Sequence, residues 1–397
     1  MRRITAIPPA HAKHQNTASF YFFIISQIRG LFHRGHPVPL ILSYPRHCPS
    51  PALHKQFVPL QRGNLCCGAA LCQKKPDAVH FDPRSFLYVI FAVLCYNKTI
   101  MTRIFEYTIE KNWDGSTALA YLTQKGYSRH LISRIKLTPD GLLQNGGYIF
   151  TNQILQAGDR LRVTLPDDTP SANIIPVPLP FDVLFEDEDL AVVNKPADMP
   201  IHPSLHNFDN TLANAAAFYY ASKGEPFVFR CINRLDRDTT GLLILAKNPL
   251  SGCILSDMML HRRIQREYLG IARGMTGEGG TISAPIRRME SSAIARCVDY
   301  EHGDPAVTHY RRLAFQNGCS LLSLRLETGR THQIRVHLLH LGHPLLGDFL
   351  YYPDRSRIRR QALHSHRLDF SHPVTGKPLS FVCPMPEDMR RCLALSL

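Results

Sequence analysis

The 397-residue chain has no glycine-rich phosphate loop, no CxxC pair and no apolar run of the ~18 residues a membrane-spanning helix needs. These absences argue against a P-loop nucleotide enzyme, a paired-cysteine zinc site and a multi-span membrane protein. Acidic residues are scarce over one long stretch. Residues 1–100 carry 12 Lys and Arg, but only Asp77 and Asp82 and no Glu. Amphipathic periodicity is missing there too. The stretch instead holds ten prolines, seven histidines and five of the eleven cysteines: Cys48, Cys66, Cys67, Cys72 and Cys95. Its apolar runs, at 20–25 and 86–96, are too short to span a bilayer. The second lies too far from the terminus for a signal peptide, and Asn97-Lys98-Thr99 is no small-residue cleavage site. Residues 1–100 read as a disordered extension, or as upstream sequence translated in error with Met101 as the start.

The rest is balanced, with 34 Lys and Arg against 30 Asp and Glu. The whole chain is 44% hydrophobic and 20% charged, the composition of a folded protein with room for two or three domains. Its net charge of +14 points to a polyanionic partner, usually nucleic acid.

Local signals divide residues 101–397. In 101–167, alternation at 106–110 predicts a strand. Ser116 predicts an N-cap for a helix that stops at Gly126. Ser128 caps a second helix over 129–136. On it Leu131, Ile132 and Ile135 share one arc, and Arg129, His130, Arg134 and Lys136 the opposite one. Asn145-Gly146-Gly147 predicts a hairpin turn, and 161–165 a further strand. Five prolines between 166 and 180 mark a semi-rigid linker over 168–180. From 181 to 397 the pattern predicts a hairpin over 183–195, strands at 241–247 and 265–274, and a hairpin around Gln316-Asn317-Gly318. Helices are expected at 211–220, 249–263 and 331–341. The sum is an α+β fold built on a mainly antiparallel sheet, preceded by a small α/β domain.

Three runs carry chemistry. In NRLDRDTTGLL (233–243), Asp236 lies between two arginines. It is either one member of a surface salt-bridge loop or a carboxylate kept ready as nucleophile or base. Asp236 and Asp238 are too close along the chain to clamp one bond as a hydrolase pair. In ETGRTHQIRVH (327–337), a turn at Gly329 opens a helix and aims Arg330 and backbone N–H groups towards anions. His332 and His337 are five residues apart, so they do not share a helix face as metal ligands, and both read as structural or RNA-facing. In QREYLGIARG (265–274), Tyr268 taken alone is a packed sheet aromatic.

Taken together, NRLDRDTTGLLILAKN, REYLGIARG, LETGRTHQIRVHLLHLGHPLLGD and ALHSHRLDFSHPVTGKPL resemble the RluA-type pseudouridine synthases over roughly residues 105–390. The SRHLISRIK, LLQNGG and QAGDRLRV segments resemble the alpha-L type RNA-binding domain of a ribosomal small-subunit protein. The first resemblance implies that Asp236 is the catalytic aspartate, that Tyr268 stacks on the target base and assists proton removal, and that Arg330 pairs with Asp236. It also implies that Arg234 and the Thr239-Thr240-Gly241 turn shape the loop, with Arg237, Thr240, His332 and Arg335 facing the substrate RNA. His343, Pro344, Gly347 and Asp348 fall in a further motif of structural character. The second resemblance implies that Arg129, Arg134 and Lys136 contact RNA phosphate. Asn233 replaces a more usual His, and Thr240 a more usual Ser.

The function so implied is isomerisation of uridine to pseudouridine, in ribosomal RNA of the large subunit or else in transfer RNA. The family chemistry needs neither cofactor nor metal. The contrary reading is an RNA-binding factor that has lost its chemistry, but both Asp236 and Arg330 are retained. Cys231, Cys253, Cys297, Cys319, Cys383 and Cys392 are scattered singly, as suits a reduced, cytoplasmic protein. A monomer without an obligate protein partner is the default expectation.

Overall fold

The computed structural model describes residues 103–394 apart from Asp168, so the readings of residues 1–100 and of Met101 lie outside the described residues. The first core forms around β1 (Ile104–Thr108), α1 (Ala118–Gln124), α2 (Arg129–Ile135), β2 (Leu142–Gln144), β3 (Gly147–Tyr148) and β4 (Arg160–Thr164). Its sheet runs β1-β4-β2-β3. Ser128 caps α2 as expected, its hydroxyl accepting from Leu131 N at 3.2 Å. Thr117 rather than Ser116 caps α1, its hydroxyl accepting from Ala120 N at 3.2 Å, while the Ser116 carbonyl accepts from Leu155 N. Asn145 (φ 51°) and Gly146 (φ 88°) are both left-handed, as a two-residue hairpin turn of the primed type requires. Leu131, Ile132 and Ile135 bury against Tyr121, Leu122, Leu161 and Val163.

The larger part begins with β5 (Asp182–Glu186), β6 (Leu190–Lys195), α3 (Leu212–Ser222), β7 (Thr240–Ala246), α4 (Pro249–Leu260) and β8 (Gln265–Arg273). It continues through β9 (Gly279–Ser283), β10 (Ile286–Arg288), β11 (Arg296–Val298), β12 (Val307–Gln316), β13 (Cys319–Leu326) and α5 (Gln333–His340). It ends with β14 (Leu363–Ser371), β15 (Pro378–Val382) and α6 (Glu387–Ala394). Nine strands form one sheet in the order β5-β6-β7-β14-β8-β13-β12-β9, with β15 added to β14. Only the β7–β14 pairing is parallel, and β10 and β11 make a separate two-stranded ribbon. The α+β, mainly antiparallel expectation is therefore met.

Strand β7 shows why the sheet sits where it does. Every residue of it is buried. Leu243 and Leu245 point to the side covered by α3 and α5, while Leu242, Ile244 and Ala246 point to the side covered by α4. A strand covered on both faces reads as a continuous apolar run, as ILA and its neighbours do here. Leu250 of α4 enters the small core, with Cys253 and Ile254 at its edge, so the small sheet packs on the larger part. Within the proline-rich stretch, Asn214 Nδ2 donates to the Ile175 carbonyl at 2.7 Å, and Leu179 and Phe181 pack on the main core.

Candidate active site

The loop of residues 233–240 runs into β7 and is tied on every side. The Asn233 amide donates to the Leu242 carbonyl at 3.2 Å and accepts from Ile244 N at 3.0 Å, which locks the start of the loop to the strand it precedes. Lys195, buried at the end of β6, donates to the Arg237 carbonyl at 2.7 Å and the Pro196 carbonyl at 2.6 Å. Burial pulls its ammonium down to about 7, against the pull of Asp238 and Asp236. Gln361 reaches the Thr239 hydroxyl at 3.2 Å, and Arg360 reaches the Asp238 carbonyl at 3.4 Å. Thr240 Oγ1 meets His364 Nδ1 at 2.8 Å. His364 Nε2 faces the Cys383 carbonyl at 3.1 Å and so donates, which leaves Nδ1 to accept the Thr240 hydroxyl. A loop with its backbone this fully partnered presents Asp236 from a fixed base.

Gly241 makes the close packing possible. Its φ is 109°, and a Cβ there would collide with the Ser365 carbonyl of β14. The register then runs straight across three strands. Gly241 pairs with Ser365, and Ser365 with Tyr268. The loop that carries Asp236 thereby enters the sheet two strands from Tyr268 on the central strand β8, and the Asp236 charge acts on the Tyr268 phenol.

Asp236 is partly exposed, with 26% of its side chain accessible. Its Oδ2 accepts from Arg335 Nη1 at 3.0 Å. Arg335 is 2% exposed and grips Asp348 with its other two nitrogens, Nε to Oδ2 and Nη2 to Oδ1, both at 2.7 Å. Asp348 is 1% exposed. The guanidinium also lies 5.0 Å from the Tyr351 ring centroid and 5.7 Å from that of Phe349. Burial opposes its charge, but the two carboxylates outweigh this and push its pKa further up.

The expected Asp236–Arg330 pair does not form. Arg330 sits five residues earlier, before α5 starts, where its Nε donates to the Pro305 carbonyl at 3.2 Å and its Nη1 lies 3.5 Å from Asp304. Its side chain is 42% exposed. The reason is the helix. Arg335 stands on the first turn of α5, whose Ile334 and Leu338 pack into the main core, and that packing carries the Arg335 guanidinium under the loop. An exposed pair such as Arg330–Asp304 contributes at most ~1 kcal/mol, whereas stripping a buried carboxylate such as Asp348 of its arginine costs ~3–5 kcal/mol.

Tyr268 is 4% exposed. Burial raises its phenol pKa, and the charge of Asp236 pushes the same way while Arg266 opposes it. The remaining residues separate into two groups. Arg234 and Arg237 are exposed at the rim, Arg237 bonded to Asp238 at 2.8 Å and 3.6 Å from Asp198. Arg335, Thr240 and His332 are turned inwards, so none of the three offers a surface to a phosphate backbone. On α2, Arg129 and Lys136 are exposed, while the Arg134 guanidinium donates to the Asp167 carbonyl at 3.1 Å. Neither Asp348 nor Tyr351 stands out in the sequence as part of this site. The available signal for Asp348 is its place in the LLGD motif, 13 residues from Arg335.

Among the described residues, Asp187, Asp189 and His372 are grouped closely enough to suggest a metal ligand set. Their atoms are already in use. Asp187 Oδ1 caps the amides of Asp189 and Leu190, and its Oδ2 faces His372 Nε2 at 2.8 Å. His372 Nδ1 accepts from Val374 N and Thr375 N, so Nε2 carries the proton. Asp189 is held by Asn248 and Arg103. The group is a clasp between loops.

A family model described as RNA pseudouridylate synthase matches residues 189–340, a span containing Asp236, Tyr268, Arg330 and Arg335. The chain is 37% identical over 278 residues to the RNA pseudouridine synthase YjbO of Bacillus subtilis, covering 70% of this chain and 98% of that protein. It is 40% identical over 227 residues to the ribosomal large subunit pseudouridine synthase D of Haemophilus ducreyi, covering 54% of this chain and 70% of that one. The solved structure of human RNA pseudouridylate synthase domain containing 1 aligns with a TM-score of 0.45 at 27% identity, over 58% of this chain and 94% of that one.

Proposed function

We propose that this chain, which belongs to the RNA pseudouridine synthase family, isomerises particular uridines of large-subunit ribosomal RNA, with Asp236 as the catalytic carboxylate. The observation that carries the assignment of Asp236 is its contact with a buried arginine, from a loop tied at several points to its surroundings and two strands from Tyr268. The choice of ribosomal RNA draws support from the likeness to the Haemophilus ducreyi enzyme.

The reaction is balanced within one nucleotide. The bond from N1 to the sugar C1′ breaks, the uracil turns, and C5 bonds to C1′. The proton leaves C5, and N1 gains one. Asp236 engages the nucleotide as nucleophile or base. Arg335 bonds one of its oxygens, Oδ2, and does not occupy the other. Tyr268 offers a ring face to the detached uracil and a phenol that relays the C5 proton, its oxygen taking that proton as its own hydroxyl proton passes on towards N1. The target uridine must leave its stack to reach so recessed a group, so base flipping precedes chemistry.

RNA is held from outside this pocket. Arg330, Arg234 and Arg237 stand at its rim, and Arg129 and Lys136 project from the small domain, which acts as an alpha-L type RNA-binding module. We place the reaction in the cytoplasm, where the six cysteines of the described residues stay as free thiols.

The test uses a ribosomal RNA transcript carrying tritium at C5 of uridine. Wild-type protein should release tritium, and Asp236→Asn should bind the transcript yet release none. Normal release by Asp236→Asn would sink the assignment. Release from transfer RNA but not from ribosomal RNA would move the substrate.

A further inference from the structure

His332 has a backbone conformation and side-chain contacts that the chemistry above leaves unused. It precedes α5 with φ 58° and ψ 18°, in the left-handed region. Non-glycine residues enter that region at a cost, and persist there where surrounding structure holds them. His332 occupies the N-cap position of α5, yet its side chain caps nothing. The ring turns to Tyr351 instead. Its Nδ1 lies 2.9 Å from the phenol oxygen, and the two rings meet edge to face at 5.7 Å. On the far side of the ring, Nε2 is 4.0 Å from Asp236 Oδ2, and the imidazole is 10% exposed.

The proton positions follow from the partners. The backbone N–H of Arg296, at the start of β11, donates to Tyr351 Oη at 2.8 Å. The phenol proton is then best placed on His332 Nδ1, which gives it an acceptor. Burial pushes Tyr351 up to about 12, so it keeps that proton at neutral pH. Burial, helped by Arg335 and Arg296, outweighs Asp236 and Asp348 and holds the His332 imidazole below its ordinary value. A neutral imidazole that accepts at Nδ1 carries its hydrogen at Nε2. Donors therefore run one way, from the Arg296 amide through the Tyr351 hydroxyl to His332, and from His332 Nε2–H towards Asp236.

We propose that His332 is a positioning residue for the Asp236 carboxylate, held in its Nε2–H tautomer by Tyr351 and the Arg296 amide. The proposal rests on the reading of Asp236 as the catalytic group. A carboxylate gripped from one side by Arg335 can still swing about its own axis. A second donor directed at the same oxygen, from the N-cap of the helix that carries Arg335, removes that freedom and leaves Oδ1 for the nucleotide. At 4.0 Å the contact is longer than a hydrogen bond, and contacts of this kind tighten when substrate fills the site. Because the last link is a β11 amide, the position of the β10–β11 ribbon belongs to the same alignment.

The test combines nitrogen-15 NMR of the histidine rings in the full chain with single-turnover tritium release. His332→Gln identifies the His332 signals by their loss. The wild type should show the Nε2–H tautomer at His332, and Tyr351→Phe should lose that signature. Tyr351→Phe should slow turnover about tenfold and His332→Ala about a hundredfold, with RNA affinity within about twofold of wild type. His332→Gln, which keeps a donor near the Nε2 position, should recover about tenfold over His332→Ala. Three results would overturn the proposal: an Nδ1–H tautomer in the wild type, equal rates for the Gln and Ala variants, or a loss confined to affinity. If Tyr351→Phe and His332→Ala turn over at the wild-type rate while Asp236→Asn is inactive, this proposal alone fails. Should Asp236→Asn itself turn over, the functional reading falls first.

Discussion

Arg335 spends two of its three guanidinium nitrogens on the buried carboxylate of Asp348 and only one, at 3.0 Å, on Asp236. Asp348 thus aims the arginine, and the arginine aims the Asp236 carboxylate. The arrangement divides charge from orientation, and it separates the consequences of losing each neighbouring arginine.

Arg335→Lys keeps a positive charge but cannot span both carboxylates, since an ammonium lacks the planar fork. Single-turnover rate should fall at least about a hundredfold, with a smaller loss of stability than Arg335→Ala, which should cost ~3–5 kcal/mol in chemical denaturation. Arg330→Ala should cost under ~1 kcal/mol and leave the rate at saturating RNA within about threefold of wild type. Equal damage from Arg335→Lys and Arg330→Ala in the rate assay would contradict this division.

Gly241→Ala places a methyl group against the Ser365 carbonyl at a φ of 109°. Neither the strand pairing nor the backbone angle can yield cheaply, so destabilisation of ~2 kcal/mol or more is expected from urea melts. The rate should fall with it, because β7 carries the loop of Asp236.

Acid stability has two windows. Burial holds His364 down to about 4, against a bond to the Cys383 carbonyl that pulls it up. A depressed histidine binds its proton more readily in the unfolded chain. Its contribution is therefore complete above about pH 6.5 and lost as pH falls towards 4, by up to roughly 3 kcal/mol. Glu186 acts lower. Burial opposes its charge, but bonds from Lys223, Lys247 and Tyr219 hold it at about 2, so its contribution disappears as pH falls from 4.5 towards 2. Melting temperature followed against pH should slope in both windows, and His364→Gln should flatten only the upper one.

Binding of a ribosomal RNA fragment should weaken steeply with salt, as counterions released by phosphate contacts require. Replacing Arg129 and Lys136 together with Ala should lower the slope of log affinity against log salt by about 1.5–2 while leaving single-turnover rate at saturation unchanged. An unaltered slope would remove the small domain from the interface.

Tyr268→Phe keeps the ring and removes the phenol. If the phenol handles the C5 proton as proposed, affinity should stay within about twofold and single-turnover rate should fall at least about tenfold. A wild-type rate for this variant would leave the ring with stacking alone.

Much of this was legible in the residue order. The α2 cap at Ser128, its buried Leu131–Ile132–Ile135 arc, the Asn145-Gly146 and Asn317-Gly318 hairpins and the apolar β7 all depend on neighbours a few positions away, where chain geometry leaves few choices. Strand β14 was not legible, because LHSHRLDFS carries too many polar residues to read as the middle of a sheet. Its His364 and Ser365 are tolerated there only because Thr240, Cys383 and Leu242 supply partners from distant segments.

Sequence alone determined which chemical groups were present, in what order, and which short stretches became helix or strand, since those follow from sterics and hydrogen bonding over a few residues. Which arginine meets Asp236 was decided by the folded molecule. Arg330 and Arg335 lie in one motif, but the phase of α5 on the sheet buries one of them beneath the loop, and Asp348 arrives from beyond the helix to hold it there. A choice of that kind turns on long-range packing and on burying charge only where it is paired, and no run of neighbouring residues records it.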